Sequence, residues 1–232
     1  SFDGQGGGLV GVTANDDILP TAYEEIWTGV GGGDGIAGVG STNVIGYKNT
    51  FSGVTVSAGY TNGEGATATA ESGGSGPGAH GSTTDIYVSM TAMEGLTLSG
   101  GASKNSSTKN GATGAETNEY VAHAVYATGP VSVGYRMGSS NSGAVGTATQ
   151  NVTAYSIAFN VNENFAISYG EQENEKEAIS ATAAVTEEVS GISAAYTVGA
   201  ASIRFHRSEA SNSANVQGTD DEHMELGVVL AF

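Results

Sequence analysis

What most constrains this chain is the rhythm of its connections. From Thr42 onward, segments of alternating character are joined by short and long links in strict turn. The short links are Ser52-Gly53, Glu94-Gly95, Gly129-Pro130, Asn162-Glu163-Asn164 and Gly199-Ala200, all with hairpin-turn chemistry. The long ones, roughly 62–83, 104–117, 139–150, 172–187 and 208–221, are rich in Gly, Ser, Thr, Asn and Glu. The segments between them are expected to be strands: Thr42–Phe51 with Val54–Thr61, Thr84–Met93 with Leu96–Ser103, Asn118–Thr128 with Val131–Gly138, Asn151–Val161 with Phe165–Glu171, Glu188–Val198 with Ala201–Arg207, and last Glu222–Phe232. With Gly8–Ala14 before them, about twelve strands are expected. Tight turns on one rim and long loops on the other are the signature of an up-and-down barrel.

The two faces of each strand differ. Val54, Val56, Ala58 and Tyr60 alternate with Thr55, Ser57, Gly59 and Thr61; Val131, Val133, Tyr135 and Met137 alternate with Ser132, Gly134, Arg136 and Gly138. Ala201, Ile203 and Phe205 oppose Ser202, Arg204 and His206 in the same way. One face is apolar and the other is small, polar or charged, without the large side chains that would fill a core. Lipid outside and water inside account for both, so the expected fold class is an all-β, transmembrane antiparallel β-barrel.

Composition excludes several alternatives. Seven Lys and Arg against 24 Asp and Glu, a net charge of −17, leave no basic footprint for nucleic acid. No apolar run approaches the ~20 residues of a membrane-spanning helix. The absence of cysteine suits an envelope protein. Metal-ligand spacing is missing among His80, His123, His206 and His223. No cofactor is expected beyond weak Ca²⁺ binding by acidic loops. The run Glu171 to Glu177 reads as a solvated outer loop.

Tyr120 and Tyr126 share the outward face of one strand, about 20 Å apart, the spacing of two aromatic girdles on a tilted strand. At the chain's end Met224, Leu226, Val228, Leu230 and Phe232 are apolar at period two. Leu230 and the terminal Phe232 resemble the C-terminal signal by which bacterial outer-membrane barrels are recognised for assembly.

Residues 15–41 break the rhythm. They carry Asp16, Asp17, Glu24, Glu25 and Asp34, the only Trp, and a glycine-rich tail, Gly29 to Gly40. A cap near Asp17, with Pro20 in the first turn, predicts a short helix. The run Ile18-Leu19-Pro20-Thr21-Ala22-Tyr23-Glu24-Glu25-Ile26-Trp27, then glycines, then Asn43-Val44-Ile45-Gly46-Tyr47-Lys48, resembles the general diffusion porins of α-proteobacteria. In that family a long loop after the fifth strand folds inward and narrows the pore.

The resemblance implies a homotrimer in the outer membrane of a Gram-negative bacterium, in contact with the lipid bilayer and lipopolysaccharide, passing ions and small hydrophilic solutes by passive diffusion. It implies one barrel domain over 1–232, sixteen strands in the intact protein, and the first four absent from this sequence. Residues 15–41 become the constriction loop, with Asp16, Asp17, Glu24, Glu25 and Asp34 facing a wall of Lys48, Arg136, Arg204 and His206. Two other readings stay open. A secreted acidic adhesin or β-solenoid would show a fixed repeat. A barrel lipase would need Ser and His on the outer face, whereas alternation points His123 and His206 inward.

Overall fold

The computed structural model describes residues 2–3, 18–30, 44–61, 82–105, 116–143, 146–179 and 182–230. They form one antiparallel meander: β1 Phe2–Asp3, β2 Val44–Phe51, β3 Val54–Thr61, β4 Thr83–Met93, β5 Leu96–Asn105, β6 Thr117–Thr128, β7 Val131–Ser142, β8 Gln150–Asn162, β9 Phe165–Lys176, β10 Val185–Val198, β11 Ala201–Ser211 and β12 Asp221–Leu230. Each strand pairs with its sequence neighbour in a single sheet. The expected strand Gly8–Ala14 lies outside the described residues, and the strand bonded to β2 is β1. A solenoid stacks parallel strands; every pairing here is antiparallel among the described residues.

The short links behave as their residues dictate. Ser52 and Gly53 both have positive φ, 49° and 83°, the geometry of the two-residue turn whose twist matches a hairpin. Neighbouring turns are laced together: Ala127 N donates to Gly95 O, Asn160 N to Pro130 O and Thr197 N to Asn164 O.

Side-chain alternation sorts the sheet into two faces. On the outer face large apolar groups lie exposed, including Ile86, Met90, Val133, Tyr135, Ile157, Ile167, Ile203, Leu226 and Leu230. The band has an upper edge. Along β9 Phe165, Ile167 and Tyr169 are followed on the same face by Glu171, Glu173 and Glu175; along β8 Val161, Phe159, Ile157 and Tyr155 give way to Thr153 and Asn151. Tyr155 pairs with Tyr135, and the hydroxyls of Tyr155 and Tyr169 both donate to Glu171. Tyrosines thus mark the border where the apolar band meets charge, as at a membrane interface. From Tyr155 to Val161 the band measures about 20 Å along the strand.

Two expected loops are shorter than the sequence suggests. Residues 171–176 belong to β9 and 208–211 to β11, so Glu173 and Glu175 sit on the outer face of a strand. The ladder needs backbone groups, not apolar side chains, so it continues where alternation is written wholly in polar residues. Gln172 and Asn174 are buried on the inner face.

The 212–220 connection also turns inward. A 3-10 turn, Ser213–Asn215, packs against β9 and β10. Asn212 donates to Thr186 O at 2.9 Å, Asn215 to Val185 O at 3.2 Å, and Ala214 N to the fully buried Glu187 carboxylate at 2.7 Å. Asn174 supplies a further donor to Glu187.

A candidate constriction built on a row of small residues

Residues 18–30 lie across the inner face from β7 to β12. The wall under them is prepared by register. Gly134 pairs with Ser156, Ser156 with Gly170, Gly170 with Gly191, Gly191 with Ser208, and Ser208 with His223. Six strands therefore present one lateral row in which only the last residue is large. A Cβ on Gly134 would lie 2.5 Å from Pro20, one on Gly170 2.5 Å from the Ile26 side chain, and one on Gly191 2.6 Å from Ile26 O. Backbone can approach this closely only where side chains are missing.

The serines bind what the glycines admit. Ser156 Oγ donates to Pro20 O at 2.8 Å, Ser193 to Glu24 O at 3.2 Å and Ser208 to Thr28 O at 2.6 Å, while Ala22 N donates to Ser168 Oγ at 2.8 Å. Above the row, Ala154, Val189 and Ala210 form an apolar seat for Leu19, Ile26 and Val30, with Trp27 packed alongside. Burying a Leu or Ile side chain fully stabilises by about 1.5–3 kcal/mol. The protein's main apolar cluster among the described residues is thus between strap and wall, not between two sheets.

Among the described residues the expected short helix does not form past Ile18, which lies in a 3-10 turn. Residues 21–30 make bends and turns, with Thr28 N bonded to Glu25 O and Val30 N to Trp27 O. A helix would direct these carbonyls and amides along its own axis; here several are spent on wall serines instead.

Of the residues read as the acidic side, Glu24 and Glu25 sit half-buried on the strap, with Thr28 Oγ1 within 3.5 Å of both carboxylates. Asp16, Asp17 and Asp34 lie outside the described residues, as does Phe232; Leu230 is on the outer face of β12, exposed. Lys48 projects from the inner face of β2, opposite Ser57, and is exposed. Arg204 is half-buried, its guanidinium 5.3 Å from the Tyr23 ring centroid.

Arg136 and His206 need correction. Alternation gives them the right face, but they are fully buried beneath the strap, not open to the lumen. The Arg136 guanidinium stacks on Trp27 at 5.2 Å. His206 Nδ1 meets Ser193 Oγ at 2.8 Å. Ser193 spends its one hydroxyl proton on Glu24 O, so His206 Nδ1 is the donor in this contact.

Sequence reasoning missed Glu225, His223 and the serines. Glu225, between Met224 and Leu226, is assigned to the inner face by the same alternation. It lies 3.6 Å from His223 Nε2 and acts on the Tyr23 hydroxyl. The Tyr23 hydroxyl is pushed up to about 12, first by its hydrogen bond to Glu225, then by burial and by Glu24. Among the described residues no three His, Asp or Glu converge as metal ligands.

The profile of a family described as Gram-negative porin matches residues 2–187. Solved structures share the fold. The anion-selective porin from Comamonas acidovorans aligns at 17% identity and a TM-score of 0.65, over 93% of this chain and 67% of that one. OmpT, an outer membrane protein of Vibrio cholerae, aligns at 13% and 0.65, over 99% and 74%; its trimer form also matches, at 13% and 0.60, over 97% and 74%. Salmonella typhi OmpF, solved with daunomycin, aligns at 10% and 0.61, over 82% and 62%. The chain spans about two thirds of the length of these proteins. No curated protein sequence matches.

Proposed function

Because the chain belongs to the Gram-negative porin family, an outer-membrane family of water-filled channels, we propose that residues 18–30 form the constriction of its channel and give it a modest preference for cations. One observation supports this above the others: the strap crosses the inner face on a row of small residues in five adjacent strands, with Glu24 and Glu225 both acting on the Tyr23 hydroxyl. Field lines focus where a polar channel narrows between poorly polarisable walls, so charges there weigh more than charges on the rims. The buried Arg136 is shielded by Trp27, which leaves Arg204 as the cation of the strap's own surroundings.

The proposal extends to the remaining expectations. The run Ile18 to Trp27 followed by glycines supports the α-proteobacterial general diffusion type, with sixteen strands in the intact barrel. A homotrimer is supported by the trimer form of the Vibrio cholerae relative. Lipopolysaccharide is the partner expected beyond the tyrosine border of the outer face. The role is diffusion of ions and small hydrophilic solutes, with no catalytic step.

Reversal potentials under a salt gradient, measured on the full-length protein in planar bilayers, test the reading. Glu24→Gln with Glu25→Gln shifts selectivity toward anions; Glu173→Gln with Glu175→Gln, on the outer face of β9, does much less. The preference fades towards 1 M salt, where the Debye length is ~3 Å. An unchanged potential in the first pair of substitutions removes the strap from the constriction.

A further inference from the structure

Fully buried beneath the strap, His206 is closed to the lumen, yet it carries part of the strap's mount. Its Nδ1 donates to Ser193, the hydroxyl that holds Glu24 O. Its Nε2 is shut off from water and has no hydrogen-bond partner among the described residues. In the neutral ring that atom is a bare lone pair, an idle acceptor. A proton there makes it a charged donor with nothing to donate to, and an unpaired buried charge costs more than an unpaired neutral group. Beside it stands His223, the ring centroids 6.3 Å apart. His223 lies directly under the strap, since a Cβ added to Gly29 would run into its ring.

The elements packed around the two rings bring charges of both signs. The strap supplies Glu24, half-buried, and the neutral Tyr23; β10 supplies only Ser193. Arg204 stands two residues along the same face of β11, and Glu225 on β12 is the cross-strand partner of His206. Glu225 is nevertheless turned towards His223, 3.6 Å from its Nε2. His223 is part-exposed, so it takes the first proton as pH falls and engages Glu225. Two cations then face two anions, and burial decides what happens at His206. The second proton enters beside an imidazolium, with the nearest counter-charge already engaged, and water reaches it only when the strap lifts. We propose that His206 and His223 form a proton-operated latch: the strap is seated on them while His206 is neutral and is released when His206 is protonated. Seating is complete above ~6.5, the ordinary imidazole value, and is lost as pH falls below it. The latch itself rests on the strap's attachment to the wall. Only its effect on flow rests on the reading of residues 18–30 as the constriction.

Hydrogen exchange of the strap in the full-length protein, corrected for the intrinsic pH dependence of amide exchange, reads the seating directly. The range from about pH 7.5 to about pH 5 brackets imidazole titration. One proton taken up on release raises the released fraction by up to about tenfold per pH unit, while the wall strands stay protected. His206→Asn keeps a donor for Ser193 and takes no proton, so its strap protection is expected to be flat across the range. Glu225→Gln removes the counter-charge and moves the release to higher pH. Wild-type strap protection that is indifferent to pH overturns the proposal, as does an equal acid loss in His206→Asn or an unshifted release in Glu225→Gln. Single-channel conductance is recorded in parallel in ~1 M KCl, where the Debye length is ~3 Å, and is expected to rise with release. Release without a change in conductance leaves the latch standing and removes the constriction reading.

Discussion

Two irregular segments lie against the inner face, and they are held by opposite means. The strap, residues 18–30, gives its backbone to the wall: Pro20, Glu24 and Thr28 offer carbonyls and Ala22 an amide, all to serine hydroxyls. Its only left-handed residue is Gly29, at φ 79°. The 212–220 connection gives side chains. Asn212, Ala214 and Asn215 all adopt positive φ, between 50° and 57°, which costs about 1–2 kcal/mol for an L-residue with a Cβ. A fully buried carboxylate, Glu187, receives the turn at Ala214 N. Space and backbone groups fix the first segment; named polar side chains fix the second.

The sharpest way to break that contrast is to fill the row. In Gly191→Val the new Cβ meets Ile26 O at 2.6 Å and Ile26 Cα at 2.8 Å, and backbone cannot rotate away. Overpacking of this kind costs about 3 kcal/mol. Urea refolding should show the loss together with raised single-channel conductance as the strap lifts. A wild-type conductance would mean that the glycine is not the seat.

Next in size is Glu187→Ala, which strands Ala214 N and the Asn174 amide. The expected cost is about 1–3 kcal/mol. Its mark is confinement: limited proteolysis should open the 212–220 connection while ion selectivity stays as it was. Altered selectivity would show the two segments to be coupled. The smallest effect belongs to Ser208→Ala, about 0.5–1.5 kcal/mol in the same refolding titration, since one of several bonds to the strap is lost. A loss as large as that of Gly191→Val would mean that one hydroxyl, not the row, carries the attachment.

The outer face was legible because period-two alternation between apolar and small residues is a local signal, readable within each strand. That is why β2 to β12 begin and end within a few residues of expectation wherever their edges are apolar. It faded where both faces are polar, as in Glu171 to Lys176, since a ladder of backbone bonds leaves no trace in hydropathy. The inward side of Arg136, Arg204 and His206 followed from parity, but their depth did not. Depth depends on what lies above them, and that is set by residues more than a hundred positions away. The small-residue row was invisible for a related reason. Gly134, Ser156, Gly170, Gly191 and Ser208 are unremarkable one at a time in a chain with 37 glycines, and they become a row only once register aligns the strands.

Because the wall serines bind main-chain carbonyls, the wall reads the strap's apolar side chains but not those at positions 24 and 28. Whatever amino acid stands at position 24 offers the same carbonyl to Ser193, and any residue at position 28 offers the same one to Ser208. The strap is mounted by a fitting indifferent to the charges it displays. A lineage, or an engineer, can exchange acid for base at positions 24 and 28 without loosening the mount, so on the proposed reading of the strap permeability can drift over a frame that stays still.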